Sequence, residues 1–504
     1  MTVSAPKSES NADQSANQPS VESSVESSAD SSDRFNEECA VFGVFTSDDS
    51  AHHLTALGLH ALQHRGQEAT GMVSFNKQNF NALRGFGHVG DNFNADSSEM
   101  AAMAGHLAIG HNRYSTTGQS EYRNIQPFLT ELAFGEFALA HNGNLINAER
   151  LRASLVAAGS LFQSTTDTEI IIHLVARSHR KSPTDRLIEA LMQIEGAYAL
   201  VCAFDNQLIG VRDPLGIRPL VLGKLDEGFV LASETCGLDI IGAEFVRDIK
   251  PGEMVSIDET GVQSSMPFSE TGSRFCVFEY VYFARPDSIV EGRGVYATRK
   301  QIGKELAKES GVSADVVVPV PDSGVPAALG YAEEAGIPFD LGIIRNHYIG
   351  RTFIQPTQAG RTQSVRMKHN ANIATVKGRS VILIDDSIVR GTTSRKIVSM
   401  MREAGATEVH MRIASPPTIS PCYYGVDTPD KEKLIASYMT ADEIAVEIGA
   451  DSLAFITDDG LYRAMGFEEG RNKSCPQFCD ACFSEDYPVK TASDRFSNGV
   501  NNGK

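Results

Sequence analysis

The stretch Val381-Ile382-Leu383-Ile384-Asp385-Asp386-Ser387-Ile388-Val389-Arg390-Gly391-Thr392-Thr393-Ser394 constrains this chain more than any other. Four consecutive large aliphatic residues call for a strand covered on both faces, the environment of a parallel sheet. Two carboxylates stand at the C-terminal end of that strand. A short loop with one glycine and three hydroxyl-bearing residues follows, and residues 395–404 then read as a helix. In open α/β sheets, ligands bind outside the carboxyl ends of the strands. Free N–H groups, hydroxyls and the positive end of a helix dipole together cradle a phosphate. Gly391 lets the backbone approach closely. The acids suit ribose hydroxyls or Mg²⁺, a cation that takes hard oxygen ligands. Asp385, Asp386, Arg390, Gly391, Thr392, Thr393 and Ser394 are therefore the candidate site for a phosphate ester.

A second strand end supports this. Val316-Val317-Val318 leads into Pro319-Val320-Pro321-Asp322-Ser323-Gly324, and residues 325–335 have a helical pattern. Gly336 and Gly405 fall where helices end in a left-handed residue. Strands alternating with helices predict βαβ units. Residues 345–369 carry Arg345, Arg351, Arg361, Arg366 and Lys368 among Gly, Gln and Thr. A basic, poorly periodic segment beside a phosphate site is expected to act as a lid. Gly85-Phe86-Gly87-His88-Val89-Gly90 fits G-x-G-x-x-G, but no convincing helix follows it, so it is set aside.

The first half reads differently. Residues 1–33 are rich in Ser, Glu, Asp and Asn and are expected to be disordered. An apolar strand pattern follows, running through Cys39 to Phe45. From there to about residue 260, short β-like runs such as Gly196-Ala197-Tyr198-Ala199-Leu200-Val201 mix with helical patterns at residues 51–63 and 168–178. This predicts an α+β domain of stacked sheets. The Ser-rich residues 263–273 are the expected boundary. The 504 residues accommodate two to four domains. A net charge of −19 weighs against nucleic acid as a partner. No apolar run is long enough for a membrane span, and no secretory signal opens the chain. Eight unevenly spaced cysteines do not form a secreted disulfide framework. A cytoplasmic enzyme is the expectation.

Cys39 follows the leader and begins the folded chain. Cleavage between Glu38 and Cys39 would give it an α-amine with a pKa near ~8, able to serve as base for its own thiol. Four later segments belong with it: Leu62-Gln63-His64-Arg65-Gly66-Gln67-Glu68, Gly110-His111-Asn112-Arg113-Tyr114-Ser115-Thr116, His141-Asn142-Gly143-Asn144 and Thr166-Asp167-Thr168-Glu169. Separately, these read as a surface ion pair at Arg113, a hairpin turn at Asn142-Gly143 and an N-cap at Asp167. In this order they resemble the N-terminal-nucleophile glutamine amidotransferases, from Cys39 to about Asp248. That resemblance implies stacked antiparallel sheets between helices. It makes Cys39 the nucleophile, gives Asn142 and Gly143 the oxyanion hole, and puts Arg65, Arg113 and Asp167 at the glutamine. Residues 381–394 resemble the phosphoribosyl pyrophosphate signature of the type I phosphoribosyltransferases. That implies an α/β domain with a parallel sheet, and Mg²⁺ at Ser323, Asp385 and Asp386.

The C-terminal end carries Cys475-x₃-Cys479-x₂-Cys482, and Cys276 and Cys422 lie further back. Close-set cysteines suit zinc or an iron–sulfur cluster, and spacing alone does not choose. From Cys39 to about Val489 the chain resembles the amidophosphoribosyltransferase family, in its Gram-positive type with a propeptide and a [4Fe–4S] cluster. The resemblance implies cluster ligands at Cys276, Cys422, Cys479 and Cys482. It also implies glutamine and phosphoribosyl pyrophosphate as substrates, feedback by purine nucleotides, and a homo-oligomer, a tetramer. The expected layout is a leader over residues 1–38, an amidotransferase domain over 39–270, a phosphoribosyltransferase domain over 271–470 and a cysteine-bearing segment over 471–504. Two rival readings are a sugar-phosphate aminating enzyme that shares the Cys39 half and a non-catalytic ligand sensor with the phosphoribosyl fold.

Overall fold

The computed structural model describes residues 39–114, 121–204, 206–269, 272–346 and 369–489. The leader, Ser115 and Thr116, and the basic segment with Arg351, Arg361, Arg366 and Lys368 lie outside the described residues.

The strand Ala40–Thr46 shows how the first half is built. Successive strand residues point to opposite faces, and here both faces are buried. Ala40, Phe42 and Val44 pack with Leu59 and Leu62 at the helix Ala51–Ala61. Val41 and Phe45 pack against Ala140, Val201 and Leu208 of a second sheet. An unbroken apolar run is what such a position requires. The strand sits in the middle of a seven-stranded sheet. Its neighbours are Leu107–Arg113 and Gly228–Ala232, both antiparallel. The second sheet has six strands, with Gly135–Leu145 and Gly196–Phe204 paired antiparallel near its middle. The helices Thr168–Arg177 and Pro183–Leu191 cover its outer face through Ile171, Val175 and Leu187. The layers therefore run helix, sheet, sheet, helix.

The second half is a four-stranded parallel sheet in the order Val316–Pro319, Ser380–Asp385, Glu408–Ile413, Ser452–Phe455. Ile382 and Ile384 face Ala327, Ala328 and Tyr331 of the helix Val325–Ala335. Val381 and Leu383 face Ile397, Val398 and Met401 of the helix Thr392–Glu403. Alternate residues of one aliphatic run thus serve two cores. Gly336 ends its helix at φ +66°, as its position after residue 335 predicts.

The C-terminal segment returns to the start of this half: Phe478–Cys479 pairs in parallel with Phe275–Cys276. The described residues all belong to one compact unit, and one apolar cluster joins Ala197 and Ile217 of the first half to Ile384, Ala414 and Tyr424 of the second. Gly85 and Phe86 end an antiparallel strand, and only the short helix Val89–Asn92 follows, so the glycine pattern there has no βαβ context. Among the described residues no helix is long and apolar enough to cross a membrane.

Candidate active site

Cys39 is buried at the first residue before its strand, and its thiol donates to the Tyr114 carbonyl at 3.5 Å. Strand register explains the contact, because Ala40 lies opposite Asn112, so the chain ends carrying Cys39 and Arg113 lie side by side. Arg113 is 2% exposed, which excludes a surface ion pair. His111, two residues earlier on the same strand, meets the carbonyl of His141 through its Nε2 at 3.1 Å. That contact ties the first sheet to the Gly135–Leu145 strand of the second. Burial holds His111 down to about 3, so it is neutral.

Asn142 and Gly143 are in the interior of a strand, opposite Ala199 and Tyr198, and not in a hairpin turn. Gly143 has φ +144°, and a Cβ there would collide with the Ala197 carbonyl oxygen. Only glycine fits. The Asn142 side-chain Nδ2 is buried and has no hydrogen-bond acceptor among the described residues. A buried amide donor is expensive to leave unpaired, so natural structures seldom do so without reason. Asp167 precedes the helix Thr168–Arg177 but makes no capping bond. Its Oδ2 accepts instead from the Leu145 N–H at 2.8 Å, and its Oδ1 lies 3.9 Å from His141 Nδ1. Both links run to the strand that carries Asn142 and Gly143. Cys39 and Arg113 are neighbours by register, the His111–His141 contact joins their strands to the one that carries Asn142 and Gly143, and Asp167 is bonded to the end of that same strand.

Arg65 lies directly behind Cys39. Its side chain is fully buried, with NH1 on Glu234 at 2.6 Å and both NH groups on Glu279, at 2.9 and 2.7 Å. Its Nε donates to the Cys39 carbonyl at 3.2 Å. A guanidinium enclosed by two carboxylates holds the Cys39 backbone from within the fold. Burial pushes the Glu234 carboxyl up, but His64 and Arg65 together outweigh it and hold it well below the usual range. Sequence reasoning missed both glutamates. They lie 169 and 214 residues from Arg65, and no local pattern marks them.

At the second site, Asp385 ends its strand, and Asp385, Asp386 and Ser394 are buried. Asp386 accepts from the Ser387 hydroxyl at 2.7 Å and also from the Ser323 hydroxyl. The two strand ends singled out in the sequence therefore meet at one carboxylate. Gly391 is the N-cap of the following helix at φ +77°. Arg390 and Thr393 are half-buried and Thr392 is exposed, so the loop borders solvent. The peptide bond Pro321–Asp322 is cis, and Arg345 pairs with Asp322.

Cys276, Cys422, Cys479 and Cys482 line one cavity with Phe278 and Tyr424. Cys276 and Cys479 are direct neighbours in the parallel pair of short strands. Burial pushes the Cys479 thiol up to about 12, and it raises Cys482 with help from the other three cysteines. Cys475 is exposed and lies outside this lining. Among the described residues no three His, Cys, Asp or Glu side chains close around a single-ion position.

Family models match both halves. The glutamine amidotransferase domain matches residues 111–239, and the phosphoribosyl transferase domain matches residues 287–416. The amidophosphoribosyltransferase of Rhizobium etli is 54% identical over 464 residues, covering 91% of this chain and 93% of its own. That of Bacillus subtilis is 47% identical over 460 residues, covering 91% and 96%. The solved glutamine phosphoribosylpyrophosphate amidotransferase from B. subtilis, complexed with ADP and GMP, has a TM-score of 0.85 at 46% identity. It covers 90% of this chain and 98% of its own.

Proposed function

The chain belongs to the amidophosphoribosyltransferase family, and from that premise we propose how its two sites divide the work. The enzyme transfers the amide nitrogen of glutamine to 5-phosphoribosyl 1-pyrophosphate, giving 5-phosphoribosylamine for purine synthesis. In our reading, the leader is removed after Glu38 and the Cys39 thiolate attacks the glutamine side-chain carbonyl. The freed α-amine moves the proton. The Asn142 amide and the Gly143 N–H stabilise the oxyanion. Arg113 takes the substrate α-carboxylate as a bidentate pair, and Asp167 takes the α-ammonium. Arg65 holds the Cys39 backbone. Ammonia departs, and water then releases glutamate.

Ammonia passes inside the protein to C1 of the ribose and displaces pyrophosphate. The apolar cluster running from Ala197, beneath Gly143, to Ile384 and Ala414 beside Asp385 supports an internal route. The N–H groups and hydroxyls of residues 390–394 hold phosphate, and Asp385 and Asp386 face the ribose. Ser323, Asp385 and Asp386 form a hard-oxygen set that fits Mg²⁺, which would supply charge neutralisation for the leaving pyrophosphate.

The four converging thiols fit a [4Fe–4S] cluster, which would staple the C-terminal segment to the start of the second half. The relative's complex with ADP and GMP supports feedback by purine nucleotides here. We also assign a cytoplasmic homotetramer, with domains divided near residue 270, on family resemblance.

The observation that supports the reading is the linkage of Cys39 to four later segments, directly to those of Arg65 and Tyr114 and through His111 to the strand whose Asn142 amide is buried and unpaired among the described residues. Its test is pyrophosphate release driven by glutamine or by free ammonia. Cys39→Ala abolishes the first and spares the second, and equal loss of both overturns the two-site reading. Intact mass reads leader removal, and iron and sulfide analysis reads the cluster.

A further inference from the structure

The oxyanion hole is not built by the amidotransferase half alone. Gly143 has the Ala197 carbonyl on one side. Gly425, from the phosphoribosyl half, abuts it as well, at φ +111°. A Cβ on Gly425 would lie 3.0 Å from the Gly143 Cα and 3.1 Å from its carbonyl carbon. The two residues before Gly425 are also engaged across the boundary. The Asn144 side chain donates to the Tyr423 carbonyl at 2.9 Å, and Arg218 Nε donates to the Tyr424 carbonyl at 2.7 Å.

Tyr423 and Gly425 of one loop therefore hold the end of the oxyanion strand, through one carbonyl and one bare Cα, while the Tyr424 carbonyl between them anchors the loop to Arg218. The same loop leaves the cysteine cavity at Cys422, where the Tyr424 N–H meets the Cys422 sulfur at 3.3 Å. Further back, its segment starts from the second site, with the Ala414 N–H on the Asp385 carbonyl at 2.9 Å.

We propose that Gly425 is a positioning residue for glutamine hydrolysis: its bare Cα seats Gly143 so that the oxyanion N–H is aimed from across the boundary between the halves. This rests on the oxyanion role given to Gly143 above. A catalytic donor must keep its geometry to a fraction of an ångström, and a misplacement of about 1 Å costs about 100-fold. A methyl group at Gly425 meets a contact that is already tight, at a φ that L residues rarely adopt. All three atoms nearest to such a methyl group belong to the Gly143 backbone, so the strain falls on the residue that carries the oxyanion N–H.

The test uses the full-length enzyme with Gly425→Ala, and with Asn144→Ala, which loosens the clamp without adding bulk. Three quantities are read: kcat and KM for glutamine, ammonia-driven pyrophosphate release, and the rate at which iodoacetamide alkylates Cys39, a reaction that needs the thiolate but no oxyanion hole. The expected result for Gly425→Ala is a fall in glutamine kcat of about tenfold or more at steady KM, with ammonia-driven turnover and alkylation unchanged. Asn144→Ala shifts kcat in the same direction, by less. The inference is overturned if both variants keep the wild-type glutamine kcat. It is equally overturned if glutamine turnover, ammonia turnover and alkylation fall together, since that marks a merely structural glycine. Cys39→Ala separates the two levels. If it keeps glutamine turnover, the site reading itself fails; if it loses it while Gly425→Ala is unimpaired, only the present inference falls.

Discussion

Replacing Asn142 by alanine should move stability and activity in opposite directions. Asn142 is 1% exposed inside the Gly135–Leu145 strand, and its Nδ2 has no acceptor among the described residues. A buried donor left unpaired costs the folded state about 1–3 kcal/mol. Truncation removes that cost, but it leaves a small void worth about 1 kcal/mol in lost packing. The two terms offset, so the variant should range from equal in stability to about 2 kcal/mol more stable. On the oxyanion role proposed above, the same N–H gains an anionic partner in the transition state. Losing one such donor costs about 10²–10³ in kcat, or about 2.7–4 kcal/mol. Denaturant unfolding gives the first quantity, and pyrophosphate release with glutamine and with ammonia gives the second. Glutamine-driven kcat should collapse, ammonia-driven turnover should persist, and the unfolding midpoint should hold or rise. A variant destabilised by more than about 2 kcal/mol that still turns over glutamine would refute the argument, because the amide would then be a structural group.

Two further outcomes follow from other parts of the molecule. Asp386→Asn removes the charge that gathers the Ser323 and Ser387 hydroxyls. Glutamine-driven and ammonia-driven pyrophosphate release should fall together, each by about tenfold or more, while Cys39 alkylation stays at the wild-type rate; selective loss of the glutamine reaction would contradict the placement of the second site. His111 is held near 3 by burial, against a usual value of 6.5. Between those pH values the unfolded chain binds a proton that the native state does not. Stability therefore falls by about 1.4 kcal/mol per unit as the pH drops from roughly 6.5. Unfolding free energy measured against pH should lose that component in His111→Gln, and an identical acid-side slope in the variant would rule it out.

Much of this was legible along the chain. The aliphatic run before Asp385 indicated a strand buried on both faces, and its alternate residues do serve two different helices. The helix over residues 325–335 could be read from its apolar period and closing glycine, and the structure places it at Val325–Ala335. Local patterns were ambiguous where a short motif had two uses. Asn142-Gly143 has the composition of a hairpin turn yet runs through a strand, and Asp167 stands at an N-cap position yet turns its carboxylate to Leu145. Dipeptide chemistry reports what a backbone can do, whereas the pairing partner across the sheet decides what it does. Cysteine spacing was silent for the same reason. Cys475 is closer in sequence to Cys479 than Cys276 or Cys422 is, but the latter two share its cavity.

The sequence by itself determined the two chemistries and the elements that carry them, because strand and helix periods, turn glycines and reactive side chains are local properties. Only the tertiary structure decided how those pieces are held. It enclosed Arg65 between Glu234 and Glu279, joined Ser323 to Asp386, gathered four thiols at one cavity, and set Gly425 against Gly143. Apart from the pair Cys479 and Cys482, these contacts join residues tens to hundreds of positions apart. Their partners are chosen by the packing of whole layers, which leaves no periodic trace in the neighbourhood of either residue.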